Sequence, residues 1–440
     1  MPTPLYDALN TFANRNPLRM HMPGHKGLSM PMAEYAGLAR LDYTELPPTG
    51  NLFEGGGPIQ AAQELWARAF RMEGCLFLTG GSTQGLHTAL ALTCTPGASV
   101  LVDRGCHRSV FHAMGLLDLQ PVYLARPWLS GPGVTGPISP VDVENNLSSH
   151  PEIKTVCITS PTYYGVLSDI PAISAICHRY GAKLVVDGAH GAHLPFLGEY
   201  GLSAADAVVV SAHKTLPAPG QTALLFVNGI PMEEVRRTAA VFGSSSPSYP
   251  MMAALDCVRD WLEGEGGQAY RQAAQRTARL RSITPCVTQQ DAPLDPTRFV
   301  LCCPEGDEVE RRLQELDIWP EMSDPGHVVC ILTCADGPEQ FDRLEQGLSK
   351  LALTGCGRSE QQLQPPPPAR QELSLRQALF ARVEYLPLEQ AEGRIAAQSV
   401  APYPPGIPVI APGEGVDKKL LAYLQKIGYN MNIAVIDPLA

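Results

Sequence analysis

The stretch VVVSAHKTLPAPGQTALL, residues 208–225, joins two apolar runs through a polar segment that contains Lys214. Apolar, β-branched runs bounded by turn residues predict strands, here AVVVS (207–211) and ALLFV (223–227). Lys214 therefore stands just past the end of a buried strand, preceded by His213. An ordinary surface lysine is the simplest interpretation. The alternative is a reactive lysine, because low-dielectric walls and a nearby cation make an amine lose its proton and form a Schiff base.

Four more apolar runs precede this stretch and alternate with helix-like segments: CLFLT (75–79), SVLVD (99–103), TVCITS (155–160) and KLVVD (183–187). The segments AAQELWARAF and ISAICHRYG have the apolar spacing of amphipathic helices. Short strands separated by helices are typical of a mainly parallel sheet covered on both faces, so we predict an α/β fold. In such sheets, ligands bind beyond the carboxyl ends of the strands.

The segment KLVVDGAHGAHLPF (183–196) places Asp187 at one of these strand ends. A carboxylate is costly to bury unless it is paired, and a pyridinium N–H is a suitable partner. The small Ala189 leaves room for such a ring. His190 and His193 are conceivable metal ligands, but the sequence shows no third ligand, and we predict no metal site.

The segment LTGGSTQGLHTAL (78–90) ends a strand in two glycines and opens a helix with Ser82 and Thr83. Backbone N–H groups at a helix N-terminus and two hydroxyls form a phosphate cradle, although the same pattern is typical of a plain helix cap. Because the cradle, Asp187 and Lys214 follow one another in the chain, we predict that pyridoxal 5′-phosphate (PLP) is bound as a Schiff base on Lys214.

His107 follows another predicted strand, in VDRGCHRSV (102–110). A histidine at such a position is often a satisfied structural residue. The functional alternative is a flat imidazole that lies beside a cofactor ring.

Composition excludes several other classes of function. The 440 residues suffice for two or three domains, and the formal net charge of −11 argues against nonspecific binding to nucleic acid or to an anionic membrane. We find no run of about 18 apolar residues and no N-terminal signal peptide. The 12 cysteines form no repeated CxxC pair, so reduced thiols and a cytoplasmic location are expected.

The second half of the chain predicts a smaller α/β region. Residues 254–282 have the pattern of one long helix, and RFVLCC and HVVCILTC have the pattern of strands. QPPPPAR (364–370) is a semi-rigid connector. In the tail we predict a helix over SLRQALFARVEY and a last helix near 416–427, separated by the loop YPPGIPVIAPGEG.

Segments along nearly the whole chain resemble those of the Orn/Lys/Arg decarboxylases: HMPGHKG (21–27), DRGCHRS (103–109), SPTYYG (160–165), DGAHGAHL (187–194), SAHK with Gln221 (211–221) and SSSPSYP (244–250). Residues 391–414, AEGRIAAQSVAPYPPGIPVIAPGE, are similar to the C-terminal domain of that family. Chain length and the absence of a receiver-like wing domain are typical of its short form.

The resemblance implies PLP fold type I, the aspartate-aminotransferase-like architecture, with a smaller C-terminal α/β domain. It also implies a homodimer or larger assembly with shared active sites. The expected divisions are an N-terminal segment at the site and interface, a large PLP-binding domain, a small α/β region, the connector and a C-terminal family domain: 1–60, 61–275, 276–363, 364–370 and 371–440.

By motif match, the resemblance implies that Lys214 binds the cofactor covalently, Asp187 pairs with its ring nitrogen and His107 stacks on the ring. It assigns the phosphate to Ser82, Thr83, Ser211 and His213, and to Ser244 acting on the neighbouring subunit's cofactor.

The chain departs from the family pattern in three places. After Thr-Glu, the short forms usually have Leu-Asp-Asp-Leu, whereas this chain reads Thr49-Gly50-Asn51-Leu52. Gly188 replaces the acidic residue usual after Asp187, and prolines 217 and 219 replace small residues. The cofactor set is intact, but carboxylates that help to recruit a cationic substrate are lost.

The expected reaction is decarboxylation of a basic amino acid, arginine first and then lysine or ornithine, to the amine and CO₂, a reaction of polyamine biosynthesis. Another fold type I reaction, an aminotransferase or lyase, is the first alternative. Aminotransferases usually bind the substrate carboxylate with an arginine of the small domain; the sequence assigns no such arginine, and Arg394 and Arg298 are the nearest candidates. A catalytically silent PLP-binding regulator is the second alternative. We expect at least one of Glu45, Glu392 and Glu414, contributed by the partner subunit, to bind the distal cation of the substrate.

Overall fold

The computed structural model describes residues 2–28, 32–354, 364–401 and 408–437. The first part of the loop YPPGIPVIAPGEG therefore lies outside the described residues. The β-strands are β1 (Gly74–Leu78), β2 (Ser99–Asp103), β3 (Gln120–Leu124), β4 (Trp128–Leu129), β5 (Val134–Thr135), β6 (Thr155–Thr159), β7 (Lys183–Asp187), β8 (Ala207–Ser211), β9 (Ala223–Val227), β10 (Arg298–Cys302), β11 (Met322–Asp324), β12 (His327–Ile331), β13 (Val383–Leu386) and β14 (Ile433–Ile436).

The α-helices are α1 (Pro4–Asn14), α2 (Ala36–Ala39), α3 (Gly57–Phe70), α4 (Gly81–Thr93), α5 (Arg108–Leu116), α6 (Pro140–Ser149), α7 (Ile170–Arg179), α8 (Ala212–Thr215), α9 (Met232–Phe242), α10 (Tyr249–Trp261), α11 (Gly267–Ile283), α12 (Gly306–Gln314), α13 (Pro338–Lys350), α14 (Leu375–Leu379) and α15 (Lys418–Lys426). Short 3-10 segments are Ala33–Tyr35, Leu194–Phe196, Leu202–Ala204 and Leu388–Gln390, and Leu262–Gly266 is a π-helical turn. None of the helices described is long and apolar enough to cross a membrane.

The chain folds into two compact units, Met1–Leu92 with Val185–Arg271, and Thr93–Leu184 with Gln272–Ala440. In the first unit the strands lie in the order β1-β9-β8-β7. Strand β7 is parallel to β8, and β9 is antiparallel to both β1 and β8. All residues of β1, β8 and β9 are buried, which explains why these strands are continuous apolar runs rather than alternating ones.

The second unit contains the strands β6-β2-β3, in which β2 is parallel to both neighbours. It also contains the antiparallel sheet β10-β12-β11 and the pair β13-β14. Helices α12 and α13 bury their apolar faces with the three-stranded sheet, in a core that includes Phe299, Leu313 and Phe341. A separate core around Leu388, Leu420 and Val435 belongs to the C-terminal residues.

All six strands predicted in the first half of the chain are confirmed, as are β10 and β12 and the last helix, α15. The prediction missed β3, whose sequence QPVYL contains a proline and is too mixed to form an apolar run. The predicted long helix 254–282 is interrupted by the π-helical turn, where Gly264 leaves helical geometry. The predicted helix SLRQALFARVEY is wrong in its second half, because Val383–Leu386 pairs with β14 instead.

A buried ion pair anchors the three-stranded sheet. The imidazole of His327 is fully buried, with Nδ1 2.9 Å from Asp324 Oδ1 and Nε2 2.7 Å from the carbonyl oxygen of Pro132. The Tyr164 hydroxyl donates to Asp324 Oδ2 at 2.6 Å. Burial by itself lowers the pKa of His327, but hydrogen bonds to Asp324 and Cys302 outweigh it and raise that pKa to about 10. The ring is therefore protonated at neutral pH.

We expect His327→Asn to lower the free energy of unfolding by about 3 kcal/mol at pH 6, because it removes one partner of a buried pair. The folded-state pKa lies above that of an unfolded histidine. The stabilisation is therefore complete below about pH 6.5 and is lost as the pH rises towards 10. Urea denaturation at pH 6 and pH 9.5 measures the difference between the two proteins, which should shrink at the higher pH.

The matched control is His150→Asn, because His150 makes a more exposed pair with Glu152 at 3.3 Å. Exposed pairs contribute less than about 1 kcal/mol, so this variant should change little. If His327→Asn lowers the free energy of unfolding equally at both pH values, His327 is not protonated in the folded protein.

Candidate active site

Lys214 lies in the single-turn helix α8, directly after the buried strand β8. Its side chain is half-buried, and its Nζ is 3.2 Å from His190 Nε2. The abrupt turn follows from the chain itself, since Leu216 has extended geometry and prolines 217 and 219 cannot continue a helix. The lysine is thereby held at a strand end beside an imidazole, an arrangement suited to losing and regaining a proton.

Asp187 ends the neighbouring strand β7 and is 2% exposed. Its Oδ1 accepts a hydrogen bond from the Ala189 backbone N–H at 3.1 Å, which orients the carboxylate. Two contacts fix the register of the two strand ends. Asp187 lies opposite Val209, and the Ser211 backbone N–H donates to Ala189 O at 3.3 Å. Asp187 and Lys214 are therefore carried by adjacent strand ends of one unit.

The Ser82–Thr83 segment reaches the same edge through strand register. Leu78, the last residue of β1, and Ser211, the last of β8, both lie opposite Ala223. Helix α4 then begins at Gly81, whose φ of 71° is in the left-handed region that favours glycine. Gln221 Nε2 donates to Thr79 O at 2.6 Å and ties the loop after Lys214 to this turn.

Ser82 is half-buried and Thr83 is exposed at the first turn of α4. The first N–H groups of an α-helix have no acceptor within the helix, so this turn offers donors to an anion. The segment thus has the form expected of a phosphate cradle.

Ser211 provides an independent indication of a missing acceptor or donor. Its Oγ is fully buried, and among the described ranges of the chain it has no hydrogen-bond partner; the same holds for Thr215 Oγ1. Buried hydroxyls in native proteins are nearly always bonded, so an absent group is the simplest explanation. His213 lies between them in sequence, and its Nδ1 donates to Thr222 O at 2.9 Å, which fixes the ring. These hydroxyls and helix N–H groups, together with the buried Asp187 carboxylate and the half-buried Lys214 amine, fit PLP.

Two predicted site residues are not brought to this edge by any described contact. His107 belongs to the second unit, where its Nδ1 accepts from Ser109 N at 3.2 Å and caps helix α5. Ser244 is exposed in the first unit, and its Oγ accepts from Ser246 N at 3.1 Å. The roles of both residues stay predictions.

His190 is the site residue that the sequence interpretation missed. The sequence indicates only a conceivable metal ligand, paired with His193, whereas in the structure His190 Nε2 lies 3.2 Å from Lys214 Nζ. Over the residues that the structure describes, no group of three His, Cys, Asp or Glu side chains is placed to hold a metal ion. The available signal was position, because His190 stands three residues past Asp187 at the same strand end.

The three glutamates predicted to meet the substrate differ in their surroundings. Glu414 is 2% exposed and forms a salt bridge with Arg104 at 2.8 Å. Glu392 is exposed, and its Oε1 lies 3.6 Å from Lys418 Nζ. Glu45 is half-buried and accepts from its neighbour, the Thr44 hydroxyl, at 2.5 Å.

A family model described as the Orn/Lys/Arg decarboxylase major domain matches residues 3–292, and the model of that family's C-terminal domain matches residues 360–432. An arginine decarboxylase of Bacillus subtilis strain 168 is 30% identical to the chain, over 96% of the chain and 93% of the relative. The constitutive lysine decarboxylase of Escherichia coli K12 is 22% identical, over 94% and 76% of the two chains.

Solved structures agree on the fold. The E. coli constitutive lysine decarboxylase superposes with a TM-score of 0.83 at 19% identity, covering 99% of this chain and 82% of that one. The serine palmitoyltransferase of Sphingomonas wittichii has a TM-score of 0.55 at 16% identity, over 67% and 77% of the two chains. The predicted α/β architecture, PLP fold type I, is confirmed.

Proposed function

Because the chain belongs to the Orn/Lys/Arg decarboxylase family, we propose that it decarboxylates a basic amino acid, with arginine as the preferred substrate and lysine or ornithine next. The protein is an amino acid decarboxylase, and its cofactor is PLP. The observation that carries the choice of arginine is the similarity to an arginine decarboxylase over 96% of the chain.

We assign the cofactor contacts as follows. Lys214 binds the cofactor covalently, Asp187 holds the ring nitrogen in its protonated form, and the small Ala189 leaves space at the ring. His107 stacks on the ring. The phosphate group is held by Ser82, Thr83, Ser211, His213 and, across a subunit interface, Ser244. When bound, PLP supplies an electron sink for the bond that is broken at the substrate Cα.

Asp187 and His190 hold or transfer protons beside the cofactor. The Asp187 carboxylate, oriented by the Ala189 amide, would keep a proton on the ring nitrogen of the bound cofactor. His190, 3.2 Å from Lys214 Nζ, can hold the proton that the amine loses and return it.

Among the three glutamates, Glu45 is our choice for the distal cation of the substrate. Glu414 is already neutralised by Arg104, and Glu392 lies beside Lys418 at the surface. Burial raises the pKa of the Tyr249 phenol, and the nearby Glu45 carboxylate raises it further.

The aminotransferase alternative receives no support from its two candidate arginines. Arg394 donates to Glu384 at 3.0 Å and to the carbonyl oxygen of Ile436 at 2.9 Å. Arg298 is 1% exposed in β10. Arg394 is therefore already engaged by other acceptors, and for Arg298 the product assay below decides between the two reactions. A silent regulator is disfavoured by the complete set of cofactor-type residues.

A homodimer or larger assembly is part of the proposal, as is a cytoplasmic location. The supporting observation is a group of exposed apolar side chains in the N-terminal segment, where Leu18, Met20 and Leu28 are 87%, 83% and 81% exposed. A second copy of the chain would cover this surface.

The test of the substrate is kcat/KM on arginine, lysine, ornithine and norleucine, with CO₂ and amine followed by mass spectrometry. Arginine should exceed the cation-free norleucine by roughly 10–100-fold, since a charge-assisted hydrogen bond is worth about 1.5–3 kcal/mol. Glu45→Gln should remove most of that difference by raising KM for arginine, without affecting norleucine.

The control variant is Glu54→Gln, an exposed carboxylate in the same segment, which should leave both values unchanged. If norleucine or an aromatic amino acid reacts as well as arginine, the distal-cation site does not exist. A keto acid product in place of CO₂ and amine would show an aminotransferase.

A further inference from the structure

A salt bridge links the C-terminal residues of the chain to the loop that carries His107. Arg104 Nη2 is 2.8 Å from Glu414 Oε2, and Glu414 is 2% exposed. The two residues are 310 positions apart in sequence but belong to the same compact unit. We call residues 104–107 the His107 loop.

Arg104 makes more than one contact with the C-terminal residues. Its Nη1 donates to Pro408 O at 2.7 Å, and its Nη2 donates to Val409 O at 3.1 Å. Glu414 is itself oriented by the Ala411 backbone N–H, which donates to Oε2 at 2.6 Å. A guanidinium with three acceptors on one segment has a defined position, unlike a single exposed ion pair.

The arginine is also enclosed on the side of the sheet. Its guanidinium carbon lies 5.6 Å from the ring centroid of Phe111 in α5 and 5.4 Å from that of Tyr123 in β3. Burial raises the pKa of the Tyr123 phenol, and the nearby Glu414 carboxylate raises it further. The bridge is therefore packed against the helix that His107 caps.

The opposite side of the His107 loop is held by a second charged pair. Asp103 Oδ1 accepts from Gly105 N at 2.8 Å, and both carboxylate oxygens bind Arg126, whose Nη2 lies 2.6 Å from Oδ2. Arg126 also donates to Gly136 O at 2.9 Å. Asp103 and Arg126 thus fix the start of the His107 loop next to strand β2. The contacts of Arg104 then restrain the rest of the loop.

Helix α5 meets the C-terminal residues at its far end as well. Arg376 Nη1 donates to Leu116 O at 3.1 Å. A side chain at Gly115 would collide with Leu379, since a Cβ there would lie 2.3 Å from the leucine Cδ1. The C-terminal residues thus contact both the loop before α5 and the end of α5.

We propose that Glu414 is a positioning residue: through Arg104 it fixes the His107 loop, and so makes the C-terminal domain part of the cofactor machinery. The proposal rests on the proposed function for the stacking role of His107. A purely structural bridge would attach the C-terminal domain without changing the cofactor environment, and the two possibilities differ in what is measured below.

The experiment compares Glu414→Gln with the wild-type PLP-loaded protein. Hydrogen–deuterium exchange of the amides at 105–110 should rise by roughly tenfold, because loss of the bridge releases the loop. The visible circular dichroism of the bound cofactor should weaken, and kcat on arginine should fall by about tenfold with little change in KM. The matched control is Glu384→Gln, which breaks the bridge to Arg394 in the same domain away from the loop.

A second set of variants separates a folding defect from a positioning defect. Arg104→Gln should reproduce the effects of Glu414→Gln, and the double variant should be no worse than either, because the two residues act as one unit. If Glu414→Gln does not fold, Arg104→Lys provides the same comparison, since it keeps the charge but loses the two-pronged donor.

Two outcomes overturn the proposal: exchange at 105–110 and cofactor dichroism that match the wild type, or equal changes in Glu384→Gln. The exchange and dichroism measurements need no turnover. If the wild type releases no CO₂ from any basic amino acid, the proposed function fails, while these two measurements still decide whether Glu414 positions the loop.

Discussion

Replacement of Lys214 by alanine leaves a protein that no longer holds PLP covalently and decarboxylates its substrate at least about 1000-fold more slowly, a loss of roughly 4 kcal/mol. The residue is a primary amine at the end of β8, half-buried and 3.2 Å from His190 Nε2. No other amine lies in that segment, since Lys214 is the only lysine between 184 and 349 in the sequence. The alanine variant should therefore lose both the proposed covalent link and the amine beside His190.

Borohydride reduction followed by peptide mapping measures the covalent link directly. In the wild type, the reduced cofactor should be found on the peptide that contains Lys214. Lys183→Ala is the matched control, because Lys183 is also half-buried but lies at the opposite end of a strand. A labelled peptide without Lys214 would disprove the assignment.

Replacement of Asp187 by alanine should reduce kcat by about 1000-fold while part of the PLP remains bound through Lys214. Asp187 is 2% exposed at the end of β7, and its carboxylate is oriented by the Ala189 amide. Without that carboxylate, a cofactor ring nitrogen loses the partner that keeps it protonated, and the electron sink weakens. Stopped-flow spectra and steady-state kinetics measure retained cofactor and turnover separately.

Asp187→Asn refines this test, since it keeps the size and one acceptor but removes the charge, and it should resemble the alanine variant. Asp206→Asn serves as the control, because Asp206 directly precedes the start of β8 rather than standing at a strand end. A kcat for Asp187→Ala within about threefold of the wild type corresponds to less than about 1 kcal/mol of barrier and would rule out the assigned role.

Much of the fold and of the site could be predicted because the signals are local. The strands β1, β2 and β6 to β9 are continuous apolar runs, which the burial of both sheet faces requires. Asp187 and Lys214 were identifiable because a charged residue directly after such a run is unusual and therefore informative. In a parallel sheet, the carboxyl ends of the strands share an edge, so the sequence predicts that the two residues belong to one site. That their strands are neighbours is known only from the structure.

The sequence by itself determined the α/β fold, the strand ends that carry Asp187 and Lys214, and the family. Only the tertiary structure decided which groups those residues meet: His190 beside Lys214, and Arg104 rather than a substrate beside Glu414. The reason is physical. An apolar run or a helix spacing is a property of neighbours in the chain, whereas a contact such as Arg104–Glu414, 310 residues apart, depends on how whole elements pack.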